Sequence, residues 1–115
     1  MTQPAPHKIR PALTRERFGR IVDEVCRQFQ VSSGQLLKRT RSNRQASKAR
    51  LALYVLIYES TSASLLDIGW YTNRHHTTVM DGLTSCATWQ LLEPELFAAL
   101  QATRAALAPK VEQSI

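Results

Sequence analysis

Apolar residues along much of this chain recur at steps of three and four, which places them on one face of an α-helix. Phe18, Val22, Val25 and Phe29 follow this spacing, and Thr14 before them is a suitable N-cap, so a first helix is predicted here. The chain has 115 residues, the length of a single domain with one hydrophobic core. No segment requires a β-strand, and we therefore predict an all-α fold.

A capping signal marks the start of the second predicted helix. Ser32 and Gln35 have the spacing of a capping box, in which each side chain bonds the backbone of the other residue. A third helix is predicted from about Ala46 to about Tyr58, and its middle is apolar nearly all round. A helix of that kind usually forms the buried centre of a small bundle.

A second capping box, formed by Ser64 and Asp67, starts a short helix that is predicted to end near Gly69. Residues 71–73 are predicted as a turn, and a further helix is expected to begin near Arg74. Two helices joined by a tight turn form a helix-turn-helix. The sequence thus predicts this motif within a small helical bundle.

The C-terminal part contributes one more predicted helix. Pro94 interrupts the preceding helix, and residues 95–107 carry leucines at helical spacing. The predicted bundle has five to six helices. We expect three parts, namely a flexible basic arm at residues 1–13, a helix-turn-helix DNA-binding domain at residues 14–92, and a C-terminal helix and tail at residues 93–115.

Positive charge is concentrated in the first half of the chain. Residues 1–50 hold twelve lysines and arginines against three acidic residues, whereas residues 51–115 hold three against six. Residues 38–50, here called the basic segment, contain no acidic residue. A local positive field of this kind favours a polyanionic partner, although a solvated basic surface would have the same composition. The cations of the basic segment are Lys38, Arg39, Arg41, Arg44, Lys48 and Arg50.

Polar side chains cluster at the start of the helix that is expected near Arg74, where the sequence continues with His75, His76, Thr77 and Thr78. A recognition helix meets the DNA major groove through its N-terminal turn, and guanidinium, imidazole and hydroxyl groups bond base edges or phosphates there. The same residues could form an ordinary polar helix face. The basic segment favours DNA, because phosphate contacts provide most of the affinity and base contacts provide the specificity.

Three passages resemble domain IV, the DNA-binding domain of the bacterial replication initiator DnaA. Leucines at 36–37 lead into the basic segment, Ala-Arg at 49–50 opens an apolar helix, and residues 64–69 end in Ile-Gly before Arg-His-His-Thr-Thr-Val at 74–79. The last passage is the specific one, since the family signature reads isoleucine-glycine, a short turn, and arginine-aspartate-histidine-threonine-threonine-valine. The resemblance covers about residues 25–83 and implies a Trp-repressor-like helix-turn-helix that binds double-stranded DNA.

By this resemblance, Arg74, His76 and Thr77 would lie in the major groove, with Thr78 near the DNA backbone. His75 stands where the family has aspartate. Aspartate accepts a hydrogen bond from cytosine N4, whereas an imidazole more naturally donates to guanine N7 or O6. We therefore count His75 among the base-reading residues and expect a binding site that differs from the family's usual box at one base pair.

The resemblance also implies roles in the basic segment. Arg41 or Arg44 would enter the adjacent minor groove, and Arg50 would lie near a phosphate at the start of a helix. Such contacts hold a protein on DNA more than they select its sequence. The residues expected to contact the DNA backbone or the minor groove are Lys38, Arg39, Arg41, Arg44, Lys48, Arg50 and Thr78.

No other chemistry is indicated. The chain has no glycine-rich loop followed by Lys-Ser/Thr, so the resemblance implies the DNA-binding part of the initiator as a stand-alone protein without the ATPase part. His75 and His76 point about 100° apart on a helix and lack metal-ligand spacing. Cys26 and Cys86 are expected to be buried reduced thiols. We expect no enzymatic activity, cofactor, metal, small-molecule substrate or membrane span.

The function predicted from these observations is sequence-specific binding of double-stranded DNA. The favoured role is that of a bacterial transcription regulator that acts in the cytoplasm, on the nucleoid. An alternative role is that of a competitor or modulator of replication initiation at DnaA-box-like sites. An alternative of another class is a protein-interaction module, or a homodimer, that uses the C-terminal helix.

Overall fold

Six α-helices form the described part of the chain, which comprises residues 9–38 and 43–108 of a computed structural model. No β-strand occurs within these residues. The predicted all-α bundle with five to six helices is confirmed. In chain order the helices are α1 (Arg15–Phe29), α2 (Ser33–Leu37), α3 (Arg44–Ser60), α4 (Leu65–Thr72), α5 (His76–Leu92) and α6 (Pro94–Leu107).

Side chains cap the starts of α1, α2 and α4 as the sequence predicted. The Thr14 hydroxyl accepts a hydrogen bond from the Arg17 amide at 3.1 Å. Ser32 and Gln35 make both bonds of their capping box, at 3.0 and 2.9 Å. The box that begins at Ser64 is likewise complete. Each cap satisfies backbone N–H groups that have no partner within the helix.

The central helix of the bundle is α3, which contacts all five other helices. It begins two residues earlier than predicted, because the Asn43 side chain accepts a hydrogen bond from the Ala46 amide at 2.8 Å and caps the helix at Arg44. The predicted buried centre of the bundle is therefore confirmed. The buried residues of α3 are Ala46, Ala49, Ala52, Leu53, Tyr54, Leu56 and Ile57.

Helix α5 lies closely against α3 where Gly82 meets the ring of Tyr54. A β-carbon at Gly82 would lie 2.5 Å from Cδ2 of that ring, closer than atoms of real side chains approach. Burial raises the pKa of the Tyr54 hydroxyl. The inward face of α5 is completed by Val79 and Cys86, both buried. The absence of a side chain at Gly82 thus sets how near the two helices lie.

The segment before α1 is attached to the bundle. Arg10 Nη1 donates to the Tyr58 carbonyl at 2.9 Å, and the Ser62 amide donates to the Pro11 carbonyl at 2.9 Å. Arg10 and Pro11 of the predicted arm therefore contact residues at and just after the end of α3, and the flexibility of the arm stays a prediction. The rest of that predicted arm lies outside the described residues.

Helix α6 shares the core of the helices before it. Only Glu93 separates it from α5, and it begins at Pro94, one residue earlier than predicted, since proline suits the first position of a helix. Leu96, Leu100 and Thr103 are buried, and α6 contacts α1 and α5. The C-terminal helix therefore belongs to the same packed unit as the helix-turn-helix.

Candidate nucleic-acid interface

The turn between α4 and α5 lies later in the chain than the sequence predicted. Helix α4 continues to Thr72 instead of ending near Gly69, and Asn73 ends it in the left-handed conformation, with φ of 57°. Asparagine is one of the few residues besides glycine that adopts this conformation readily. Helix α5 then begins at His76, so Arg74 lies in the turn and not in the helix.

Gly69 does not end α4 but allows a close backbone approach. A β-carbon at Gly69 would lie 2.5 Å from the carbonyl oxygen of Arg74 and 3.4 Å from the amide nitrogen of His76. The Arg74 amide also donates to the Gly69 carbonyl at 2.8 Å. The two helices of the motif thus meet through backbone atoms, which fixes the start of α5 relative to α4.

His75 is the N-cap of α5. Its Nδ1 accepts a hydrogen bond from the Thr77 amide at 3.2 Å and lies 2.8 Å from the Thr77 hydroxyl oxygen. When Nδ1 acts as an acceptor, the neutral imidazole carries its proton on Nε2, which is then a donor. The sequence did not predict this capping role. It leaves the other ring nitrogen for a partner outside the protein.

The first turn of α5 presents its polar side chains to solvent. Thr77 and Thr78 are exposed, His76 is partly exposed, and the rings of His75 and His76 lie with their centroids 4.4 Å apart. Backbone N–H groups and the helix dipole at this end favour a negatively charged partner. Four of the five residues expected at the start of the recognition helix therefore share one surface, residues 75–78, which we call the reading end.

Arg74, the fifth of these residues, directs its guanidinium group onto the protein backbone. Nη1 donates to the carbonyls of Thr72 and Asn73, both at 3.1 Å, and Nη2 donates to the carbonyl of Lys38 at 2.7 Å. Its predicted contact with a base would have to compete with these three bonds. No local sequence pattern indicates the bond to Lys38, which is 36 residues away.

The resemblance implied that Arg50 stands at the start of a helix, but Arg50 lies in the second turn of α3. Its Nε donates to the Leu36 carbonyl at 3.0 Å, and its Nη2 donates to the carbonyls of Gln35 and Lys38 at 2.7 and 3.1 Å. Carbonyls at the end of a helix need such partners. Burial, and after it the nearby charge of Arg74, lower the pKa of Arg50. Any phosphate contact of Arg50 would be added to this stabilisation of α2.

Two cations of the basic segment approach Glu93 at the junction of α5 and α6. Lys48 forms an ion pair with the Glu93 carboxylate, and Arg44 Nη2 lies 3.8 Å from its Oε2 atom. The hydrogen bond from Lys48 is the main cause that lowers the pKa of Glu93. Part of the positive charge counted in the sequence is thus balanced by an acidic residue more than 40 positions away.

The basic segment is described at its two ends. Lys38 follows α2 and is exposed, and Arg44 opens α3. The DNA contacts that were expected of Arg39 and Arg41 lie outside the described residues. The described residues of the segment are therefore Lys38, which follows α2, and residues 43–50, which cap α3 and form its first turns.

Two apolar side chains beside the reading end were missed by the sequence reasoning. Leu66 and Trp70 of α4 are 67% and 72% exposed. With His75 and His76 they line a shallow concavity of about 730 Å³. A signal for them was present, because residues 65–70 are apolar at more positions than one buried helix face can hold.

The described residues hold neither a clustered metal site nor a helix that could span a membrane. No group of three or more His, Cys, Asp or Glu side chains comes together as a metal site within residues 9–38 and 43–108. Over those same residues, no helix has the length and apolar character needed to cross a membrane. Cys86 is buried and Cys26 partly so, and burial raises the pKa of both thiols.

A comparison with known protein families matches residues 18–85 to the bacterial DnaA protein helix-turn-helix. The match covers more than half of the 115 residues and runs from α1 into α5, so that it includes the basic segment, the turn at Asn73 and the reading end. Members of this family are DNA-binding helical domains and not catalytic ones. The chain therefore belongs to the family of the bacterial DnaA helix-turn-helix, which binds double-stranded DNA.

Proposed function

We propose that this protein binds double-stranded DNA at a specific sequence and regulates transcription, acting on the nucleoid in the cytoplasm. The observation that carries the proposal is the reading end, where two exposed threonines and two imidazoles stand at the start of a capped helix. The backbone contact between Gly69 and Arg74 fixes that helix start. A preorganised polar turn of this kind suits base readout in the major groove.

Within the reading end, His75 is the residue we expect to set the difference from the family's box. Nδ1 is used as the helix cap, so Nε2 is the donor that would face a base. A donor at this position matches guanine N7 or O6, whereas the aspartate of the family matches cytosine N4. His76 and Thr77 would contact neighbouring base pairs, and Thr78 the backbone.

The basic segment would supply the affinity. We assign backbone or minor-groove contacts to its described cations, with those of Arg39 and Arg41 carried over from the family resemblance. If about six phosphates are neutralised, log affinity should fall with log salt concentration at a slope of roughly −5. A response that does not depend on salt would contradict this electrostatic assignment.

Selection from a random double-stranded DNA library, at about 0.15 M salt, tests the proposal. We expect an enriched motif from the wild-type protein. A matched selection with His75→Asp should change the preference at one base pair, toward a pair that offers cytosine N4 to the carboxylate. Aspartate is also a good N-cap, so α5 is retained in this variant. Failure of the wild-type protein to enrich any motif would contradict sequence-specific binding.

The same selection separates the two biological roles. A motif that departs from the DnaA box at the pair facing His75 supports a transcription regulator with its own sites. Recovery of the unaltered DnaA box would instead support a competitor that occupies the initiator's sites and restrains replication. We favour the regulator, because an imidazole replaces the carboxylate at this position.

We further propose that two copies pair through the outer face of α6. Between residues 97 and 106 its exposed positions carry Phe97, four alanines and Gln101, with no charged side chain. Leu91 and Leu92, at the adjoining end of α5, are 83% and 65% exposed. On a chain with a net charge of +6, an uncharged apolar face is the one that a second copy can meet without repulsion.

Sedimentation at tens of micromolar protein tests this pairing. We expect a dimer for the wild-type protein and a monomer for Phe97→Glu, which introduces a charge into the face. Leu66→Glu is the matched control, because it adds the same charge beside the reading end and should leave the dimer intact. A wild-type monomer at these concentrations would contradict the pairing without affecting the proposal on DNA binding.

A further inference from the structure

Three separate parts of the chain meet at the backbone carbonyl of Lys38. This oxygen accepts a hydrogen bond from Arg50 of α3 at 3.1 Å and another from Arg74 of the turn before α5 at 2.7 Å. Lys38 itself follows the last residue of α2, and its amide donates to Gly34 at 3.0 Å. The start of the basic segment and the turn of the helix-turn-helix are thus connected at a single point.

We propose that Arg74 is a positioning residue, which ties the start of the basic segment to the helix-turn-helix turn so that both DNA-contacting parts meet the duplex as one unit. This inference rests on the proposed DNA binding and changes the role assigned to Arg74, from reading a base to placing the groups that contact DNA. It differs from a structural role in general, because its effect falls on DNA affinity more than on stability.

The contacts of Arg74 explain why an arginine is needed at this position. Its planar fork reaches the carbonyls of Thr72 and Asn73 with one nitrogen and that of Lys38 with the other. A lysine would keep the charge, but its single ammonium group lacks the fixed fork that spans these acceptors. The backbone of Arg74 is itself held against Gly69 at 2.8 Å, so the side chain starts from a fixed point.

Carbonyl acceptors also preserve the positive charge. They bear partial and not full negative charge, so they do not offset the positive charge of Arg74 and Arg50 at Lys38 as a carboxylate would. The two cations lie close enough for Arg74 to lower the pKa of Arg50. Because the side chains of Arg74 and Arg50 are already held at Lys38, less side-chain entropy is lost when they meet DNA.

The test compares Arg74→Lys and Arg74→Met with a control elsewhere in the bundle. The control is Arg104→Met, which removes an arginine whose Nε and Nη2 donate to Glu59 at 2.6 and 3.1 Å, in the contact between α6 and α3. Each variant is measured for unfolding by urea, for affinity to the selected site, and for base preference. Amide hydrogen exchange of Lys38 is followed without DNA.

We expect both Arg74 variants to bind about tenfold more weakly to every sequence while keeping the wild-type base preference. Exchange of the Lys38 amide should become faster in the free protein, and Arg74→Lys should not restore affinity. Arg104→Met should lower stability and leave DNA affinity unchanged.

Three results would overturn the inference. Loss of preference at a single G·C pair with unchanged exchange would make Arg74 a base reader. Full affinity in Arg74→Lys would mean that only its charge matters, and unchanged exchange in both variants would remove the tie. Because exchange is measured without DNA, these outcomes remain distinct from a failure of the wild-type protein to select any DNA motif.

Discussion

The two ends of α5 differ in almost every property that decides what they can bind. The first turn carries exposed threonines and imidazoles, and His75 caps it through Nδ1. The last turn carries Leu91 and Leu92, 83% and 65% exposed, and leads through Glu93 into α6. The helix has 17 residues and is therefore about 25 Å long. The two ends of one helix thus present surfaces of opposite chemical character.

Electrostatics accounts for part of this difference. At the first turn, the positive end of the helix dipole attracts phosphate. At the last turn, Glu93 binds Lys48 and lies near Arg44, so that local positive charge is balanced. The polar end is thus prepared for an anionic partner, whereas the apolar end favours burial against another protein surface.

Of the substitutions that would test the difference between the two ends of α5, Gly69→Ala is expected to have the largest effect. The new β-carbon would lie 2.5 Å from the Arg74 carbonyl, and neither backbone segment can yield without moving the start of α5. We expect a loss of about 3 kcal/mol in the free energy of unfolding, measured by urea denaturation, together with loss of DNA binding.

Gly19→Ala in α1 is the matched control for that variant. Apart from its chain neighbours and the adjacent backbone of its own helix, no atom lies within 4 Å of the β-carbon that it would add, and alanine is a better helix former than glycine. We expect unchanged DNA binding and a gain of up to about 1 kcal/mol in stability. Equal losses from the two substitutions would show that the tight turn is not the cause.

A smaller and more local effect is expected from Thr77→Ala. Removal of a hydroxyl and a methyl group from the reading end should relax the preference at one base pair by about 1–3 kcal/mol, measured by competition between single-base variants of the selected site. Thr84→Ala makes the same change two turns later on α5, where Thr84 is exposed and bonds Met80 in its own helix. Thr84→Ala should leave base preference unaltered. A similar relaxation from both variants would contradict the assignment of base readout to residues 75–78.

The smallest effect is expected from Glu93→Gln. This variant tests whether Lys48 and Arg44 contribute to DNA binding or only pair with Glu93 beyond the last turn of α5. Loss of the carboxylate frees both cations, so the salt dependence of DNA binding should steepen by up to one or two charges. An unchanged slope of log affinity against log salt concentration would mean that the two cations pair with Glu93 and do not contribute to DNA binding.

The same variant has a pH signature. The pKa of Glu93 is lowered in the folded protein, chiefly by the hydrogen bond from Lys48. A carboxylate with a lowered pKa stabilises the fold above its unfolded pKa and loses that contribution as the pH falls through the folded pKa. The stability difference between wild type and Glu93→Gln should therefore be present at neutral pH and vanish in acid, as urea denaturation at several pH values would show.

Features that depend on neighbouring residues were predictable from the sequence. The capping boxes at Ser32 and Ser64 and the apolar faces of α1 and α3 are local patterns, and the structure has them where they were expected. The end of α4 was placed too early because a glycine commonly ends a helix. A glycine is instead required at position 69 because the Arg74 carbonyl lies close to it, and this contact exists only in the folded chain.

The candidate site was predictable in its residue types but not in its bonds. The cluster at residues 75–78 was expected and is assembled on one surface. Arg74 bonds Lys38, 36 positions away, and Lys48 pairs with Glu93, 45 positions away; composition indicates neither contact. A count of basic residues therefore overstates the charge that is available to DNA, since it cannot register the distant carboxylate that offsets part of it.

The positions of the two tryptophans have a spectroscopic consequence. Trp70 stands beside the reading end, 72% exposed, and Trp89 stands near the far end of α5, 41% exposed. Their indole emission responds to the polarity around each ring, so each end of the molecule carries its own built-in optical reporter. In the Trp89→Phe variant, the remaining indole emission would report on the reading end. In the Trp70→Phe variant, it would report on the C-terminal part of α5, in both cases in unlabelled protein.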